Sequence, residues 1–310
     1  MDCTLIQGLW RIDSAAATQF AKISASNFQD TSFTDKVFMR WFLRQKVELT
    51  FTDCHIPHET LKRLLPEEML TDDLLYFLMR VAIQRAPHKD RVVYVDSQLL
   101  DKFERNDLSA LRDGKKQPWQ DCKVVVCPIN RCLHWFLVLL FPKSRICWIL
   151  DSLHDRTHSR RYFRCQYTDA KELMLQFFRD GAEIQLPEYT AALSFVLALA
   201  RNHLGEAFGE LSEWKFWLLP DTLHPQQGST SNDCALATWR AAYDVLTSDT
   251  LIPSWTPQSC TGEEYTQLRR LAFHLILQDT LERQGDAALM QLIRTYVPGT
   301  GEAGDPMVIG

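Results

Sequence analysis

Cys234 opens a helix-forming run, Asp233-Cys-Ala-Leu-Ala-Thr-Trp-Arg-Ala-Ala-Tyr, behind a loop of Gln, Gly, Ser and Thr. A helix N-terminus carries partial positive charge, which favours the thiolate over the thiol, and the thiolate is the nucleophilic form. Most cysteines are small buried fillers, so position rather than residue type singles this one out. His134 opens the apolar run His134–Phe141, where a strand can fix its backbone while the imidazole projects into a groove. There it can take and return a proton. Asp151 closes the next apolar run. If the two runs form a hairpin, the carboxylate reaches the second ring nitrogen and fixes the tautomer. An Asp before Ser is otherwise a turn former. In the loop ahead of Cys234, the amide of Gln227 or Gln226 can join the Cys234 backbone N–H in holding an oxyanion. The ordinary role of such a glutamine is simple solvation. His55, His58, His88, His154, His158, His203 and His274 read as surface or satisfied core histidines.

These groups need a scaffold, and the patterning supplies one. Between Lys123 and Ser152 three strands are expected, Val124–Ile129, His134–Phe141 and Arg145–Leu150, the last two joined by the polar link Pro142-Lys143-Ser144. Their near-continuous apolar character means that both faces are covered, as in a central sheet. A helix is expected from Leu70 to Gln84, opened by Thr71 and acids in its first turn. A short β-branched run follows at Arg91–Val95. Further helices are expected near Asp35–Arg44, Ala170–Phe178, Ala191–His203 and Glu263–Arg283, and Glu213–Leu219 alternates as a strand does. Asp221–Asn232 reads as a loop. The order of elements gives an α+β protein.

Composition bounds the function. The 310 residues are 46% hydrophobic and 24% charged, ordinary for a chain with a real core. A net charge of -5 and no Lys/Arg stripe argue against nucleic acid as a partner. Nine cysteines, an odd number, with no basic-then-apolar leader at the N-terminus, point to free thiols in a reducing compartment. The longest apolar stretch, Ala191 to Ala200, is half of what a bilayer span needs, which argues against a membrane role. The spacing of Cys122, Cys127 and Cys132 fits no zinc knuckle and no Cys-x-x-Cys pair occurs, so no metal is expected. No cofactor is expected either, since phosphate loops and dinucleotide fingerprints are absent.

Taken together, His134-Trp135, Asp151-Ser152 and Pro225-Gln-Gln ahead of Asp233-Cys234 resemble the ubiquitin-like-protease family, whose best-known members are SUMO-specific proteases. The resemblance extends over about residues 65–245. Met69-Leu-Thr-Asp-Asp-Leu-Leu-Tyr-Phe-Leu-Met resembles the family's Trp-Leu-Asn-Asp helix opening, and Val126-Cys-Pro-Ile-Asn its strand before the histidine. It implies a papain-like cysteine protease fold, a central mixed β-sheet flanked by helices with the nucleophile at a helix N-terminus. It also implies roles: Cys234 as nucleophile, His134 as general base, Asp151 as its orienting acid and Gln227 as oxyanion donor. Trp135, Met69, Asp72 and Gln226 fall on the substrate side, with Trp135 and Met69 as walls of a passage for a Gly-Gly tail. The chain departs from the family at Ala235, where Gly is usual, at Met69, where a second Trp is common, and in a loop after Gln227 one residue longer.

The implied function is a cysteine protease or isopeptidase cleaving after the Gly-Gly tail of a ubiquitin-like protein, SUMO first and ubiquitin or another modifier next. The implied partners are that modifier and its conjugates, met by a monomer inside the cell, in nucleus or cytoplasm. The alternatives are an acyltransferase using the same triad and an inactive module that binds a ubiquitin-like protein. The expected organisation is an N-terminal extension over 1–60, a catalytic domain over 61–297 with an insertion around 155–210, and a flexible tail over 298–310.

Overall fold

A computed structural model describes residues 36–51, 54–65, 68–105, 107–112, 117–131, 133–152, 189–218, 232–247, 262–284 and 287–294. The expected helix at Ala170–Phe178, Gln226, Gln227 and the tail from 298 lie outside these residues. The chain divides into two compact units, Met1–Leu65 with Arg269–Gly310, and Pro66–Leu268. In the smaller unit, α1 (Lys36–Arg44) precedes a hairpin of β1 (Leu49–Phe51) and β2 (Cys54–Ile56), then α2 (His58–Lys62).

The larger unit opens with α3 (Asp72–Arg85). Its start follows the sequence signal closely: the Thr71 hydroxyl accepts from the Leu74 N–H at 3.4 Å, and Asp72 and Asp73 occupy the first turn. The helix stops at Ala86, which is extended (ψ 133°) because Pro87 follows and excludes the helical conformation. Then come β3 (Val92–Tyr94), α4 (Gln98–Glu104), β4 (Val124–Arg131), β5 (His134–Phe141), β6 (Ile146–Asp151), α5 (Thr190–Leu204), β7 (Lys215–Leu218) and α6 (Cys234–Thr247). α7 (Gly262–Gln284) and α8 (Ala287–Arg294) end the described chain. Within the smaller unit, the buried Arg269 guanidinium donates to the carbonyls of Arg63 and Leu65, and Phe42 meets Phe273 edge-on.

Five strands form one mixed sheet in the order β3-β4-β5-β6-β7. The β3–β4 and β6–β7 pairs are parallel, while β4–β5 and β5–β6 are antiparallel. Every residue of β5 is buried, as a strand apolar on both faces requires. On one face Val125, Cys127, Phe136, Val138, Cys147 and Ile149 join a single core with α4 and α5. On the other, α6 packs against β5 and α3, and the Trp239 indole N–H ties it to the Leu78 carbonyl at 3.1 Å. α5 falls in the stretch expected as an insertion, and its apolar residues belong to the sheet's core.

Two boundaries differ from the sequence reading, for local reasons. β4 runs on to Arg131, two residues past the expected end, because Arg131 still pairs with His134 across the β4–β5 ladder. β6 starts at Ile146 and includes Asp151, since Arg145 takes the left-handed conformation (φ 52°) that closes the Pro142–Ser144 turn. No helix among the described residues is long and apolar enough to cross a membrane.

Candidate active site

Strand register sets the first contact of the site. Asp151 lies directly opposite Phe136 across the β5–β6 ladder. His134 is two residues from Phe136 and so shares its face of the sheet, placing imidazole and carboxylate on one diagonal. His134 Nε2 lies 2.7 Å from Asp151 Oδ1, with Asp151 fully buried and His134 nearly so. Because Nε2 takes the carboxylate, Nδ1 is the nitrogen left for another partner.

That partner is the cysteine. α6 begins at Cys234, with the Asp233 carbonyl accepting the first helical bond from the Ala237 N–H at 2.9 Å. The Cys234 thiol is hydrogen-bonded to the His134 side chain. Sγ also lies 3.9 Å from the Leu133 carbonyl, to which a protonated thiol donates. The carbonyl suits the thiol and an imidazolium suits the thiolate, so the proton's position selects the sulfur's partner.

Electrostatics favour the charged imidazole. Burial alone would push the His134 pKa down, but hydrogen bonds to Asp151 and Cys234 and their charges outweigh it, raising it to about 9. An imidazole that stays protonated at neutral pH beside a cysteine on a helix N-terminus places a proton donor next to a sulfur nucleophile. Such a pair can attack a carbonyl carbon and protonate the leaving group.

Of the remaining sequence candidates, Trp135, Asp72 and Met69 fall among the described residues. Trp135 points to the opposite face from His134 and is only 2% exposed, paired across the ladder with Asn130. Asp72, at the start of α3, is half-buried and hydrogen-bonded to the Asn130 side chain, which brings the helix start to the β4–β5 turn. Burial raises its carboxyl pKa more than the Asn130 bond lowers it. Met69, also half-buried, lies three residues before it. Two contributors were not foreseen. Leu133 holds the tight turn at φ 67° with its side chain 73% exposed, and Tyr189 donates its O–H to Asp151.

Residues 68–183 match the Ulp1 protease family, C-terminal catalytic domain. That segment, a little over a third of the chain, is similar to the catalytic domain of the Ulp1 protease family. It contains Met69, Asp72, Trp135, His134 and Asp151, while Cys234 lies beyond it and joins through the fold.

Solved structures agree at the level of fold. The C-terminal Ulp1 protease domain in complex with Smt3, the yeast ortholog of SUMO, superimposes with a TM-score of 0.56 at 19% identity, covering 82% of this chain and 97% of that one. The SUMO protease Ulp1 with its catalytic cysteine oxidised to a sulfenic acid gives 0.55 at 18%, with the same coverage. The Ulp1-like SUMO protease catalytic domain of Chaetomium thermophilum gives 0.53 at 14%, covering 81% and 93%. No curated protein matches the chain by sequence. The Ulp1-type fold is thus a papain-like sheet with helices around it, as the sequence implied.

Proposed function

We propose that this chain is a Ulp1-type isopeptidase that cleaves after the Gly-Gly tail of a SUMO-class modifier, with Cys234 as nucleophile. The observation that carries the reading is the His134 imidazole, bonded at once to the buried Asp151 carboxylate and to a thiol on the first residue of α6. The modifier class is supported by the shared fold with a protease bound to Smt3, the yeast ortholog of SUMO.

The chemistry follows from the atoms present. His134 holds the proton released by Cys234, and the thiolate adds to the carbonyl carbon of the terminal glycine. The developing oxyanion takes the Cys234 backbone N–H, one of the unpaired donors of the first helical turn, and an amide from Gln227 or Gln226. His134 then gives its proton to the departing lysine amine, leaving a thioester. A water, deprotonated by His134, hydrolyses that thioester and restores the thiol. Asp151 keeps Nδ1 aimed at sulfur throughout. Trp135 and Met69 are the side chains for the narrow approach to this point, and Asp72 is the carboxylate for a basic group on the modifier.

Electrophilic probes built on SUMO and on ubiquitin, each ending in Gly-Gly, test the reading. A covalent adduct with the SUMO probe that is lost in Cys234→Ala is expected. Labelling by ubiquitin alone would replace the modifier. Labelling by neither, with intact folded protein, would overturn the function.

A further inference from the structure

Asp151 is held at both oxygens, and the second holder comes from a part of the chain that no motif marks. Tyr189 donates its O–H to Asp151 Oδ2 at 2.8 Å, while His134 occupies Oδ1. The tyrosine is 3% exposed and stands immediately before α5, 38 positions after the carboxylate it reaches. Its ring meets Phe136 edge-on, with centroids 5.2 Å apart and planes at 70°. Phe136 is the residue whose backbone faces Asp151 across the ladder. One side chain therefore packs on Asp151's strand partner and bonds its carboxylate.

We propose that Tyr189 is a positioning residue for this site, acting through Asp151 to hold the His134 ring against Cys234; the proposal rests on the triad reading above. The physical need is plain. The terminal torsion of an Asp side chain has a broad, roughly two-fold preference, so one hydrogen bond leaves the carboxylate plane free to swing. A second donor on the other oxygen fixes that plane and, with it, the direction of the His134 Nε2–H bond. A fully buried carboxylate also needs donors at both oxygens to remain charged, and bonds to an ionised acceptor are the strong ones. α5 is locked into the sheet's core by its apolar residues, so the hydroxyl is held by packing rather than by a mobile loop.

The test is Tyr189→Phe, which keeps the ring and its contact with Phe136 and removes only the oxygen. Two readouts are taken, the rate of Cys234 alkylation by iodoacetamide at neutral pH, which needs no knowledge of the modifier, and turnover of SUMO ending in Gly-Gly-aminocoumarin. Roughly a tenfold loss is expected in alkylation rate and in kcat, with KM and melting temperature nearly unchanged. In an Asp151→Ala background the same substitution should do nothing further, because the hydroxyl has no carboxylate to act through. A full tenfold loss in that background would make the effect general packing and overturn the proposal. So would wild-type rates for Tyr189→Phe while Asp151→Ala is slow. If Asp151→Ala itself alkylates and turns over normally, the triad reading falls first and this proposal with it.

Discussion

The sheet interior and the N-terminal end of α6 both hold buried free thiols, and they put them to opposite uses. Cys127 and Cys147 lie inside the sheet, where burial drives their pKa well up. Cys122, just before β4, is pushed up to about 12, again chiefly by burial. Burial disfavours the charged form of these three sulfurs and gives them no reason to ionise. Cys234 is as hidden, only 4% exposed, yet it sits on a helix N-terminus with the His134 imidazole as partner. Burial does not separate a nucleophile from a filler. The charged partner and the helix end do.

Removing sulfur at each place is the largest test of that contrast. Cys234→Ala should lower turnover by more than about a thousandfold while the fold stays intact. Cys127→Ala and Cys147→Ala should leave turnover within about twofold and cost on the order of 1 kcal/mol of stability. Equal losses at all three positions in kcat would mean that the thiols act only through packing. Next in size is Asp151→Asn, expected to cost roughly 10² to 10⁴ in kcat/KM by leaving His134 in the wrong tautomer. The alkaline limb of activity should also move below its wild-type position near pH 9, because Asp151 supplies part of what raises His134. An unshifted limb would assign it to another group.

Much of this contrast is legible in the sequence, and the limits are physical. His134 and Asp151 can be paired on paper because two continuous apolar runs separated by Pro142-Lys143-Ser144 leave a hairpin as the simple solution. Cys234 stands out because a polar loop ends on it and an apolar helix begins. The β4–β5 turn escapes notice, since Cys132-Leu133 carries none of the Asn-Gly or Asp-Gly chemistry that announces a two-residue loop. Tyr189 escapes for a different reason. It looks like the first apolar residue of a core helix, and its bond to Asp151 exists only once tertiary packing returns α5 to the sheet. Side chains read by period and position are visible early; hydroxyls that cross between elements are not.

The charge on His134 sharpens the comparison through stability. Its pKa is about 9 in the folded chain against 6.5 for the free side chain, so protonation favours the folded state. The contribution is fully present below about pH 6.5 and is lost as pH rises through about 9. Melting measured from pH 6 to 10 should therefore show a decline in the wild type that His134→Gln lacks. Parallel curves would mean that the imidazole is neutral when folded, and the raised His134 pKa would be refuted.

The smallest expected effect tests whether the end of the sheet nearest Cys234 is strained in a way its interior is not. Leu133 sits at φ 67°, a conformation that costs a side chain bearing Cβ about 1–2 kcal/mol, and its side chain is 73% exposed, so little burial offsets that cost. The residue is held there because the two-residue turn must deliver Arg131 opposite His134, and the same turn aims the Leu133 carbonyl at Sγ. Leu133→Gly relieves the strain but loosens the unfolded chain, so the net gain should be about 0.5 kcal/mol, a rise of roughly 1–2 °C in melting temperature. Turnover should fall by a few-fold as the turn that carries His134 becomes less fixed. A lower melting temperature would show that the leucine side chain is stabilising despite its exposure, and unchanged turnover would show that the rigidity of this turn does not matter to the site.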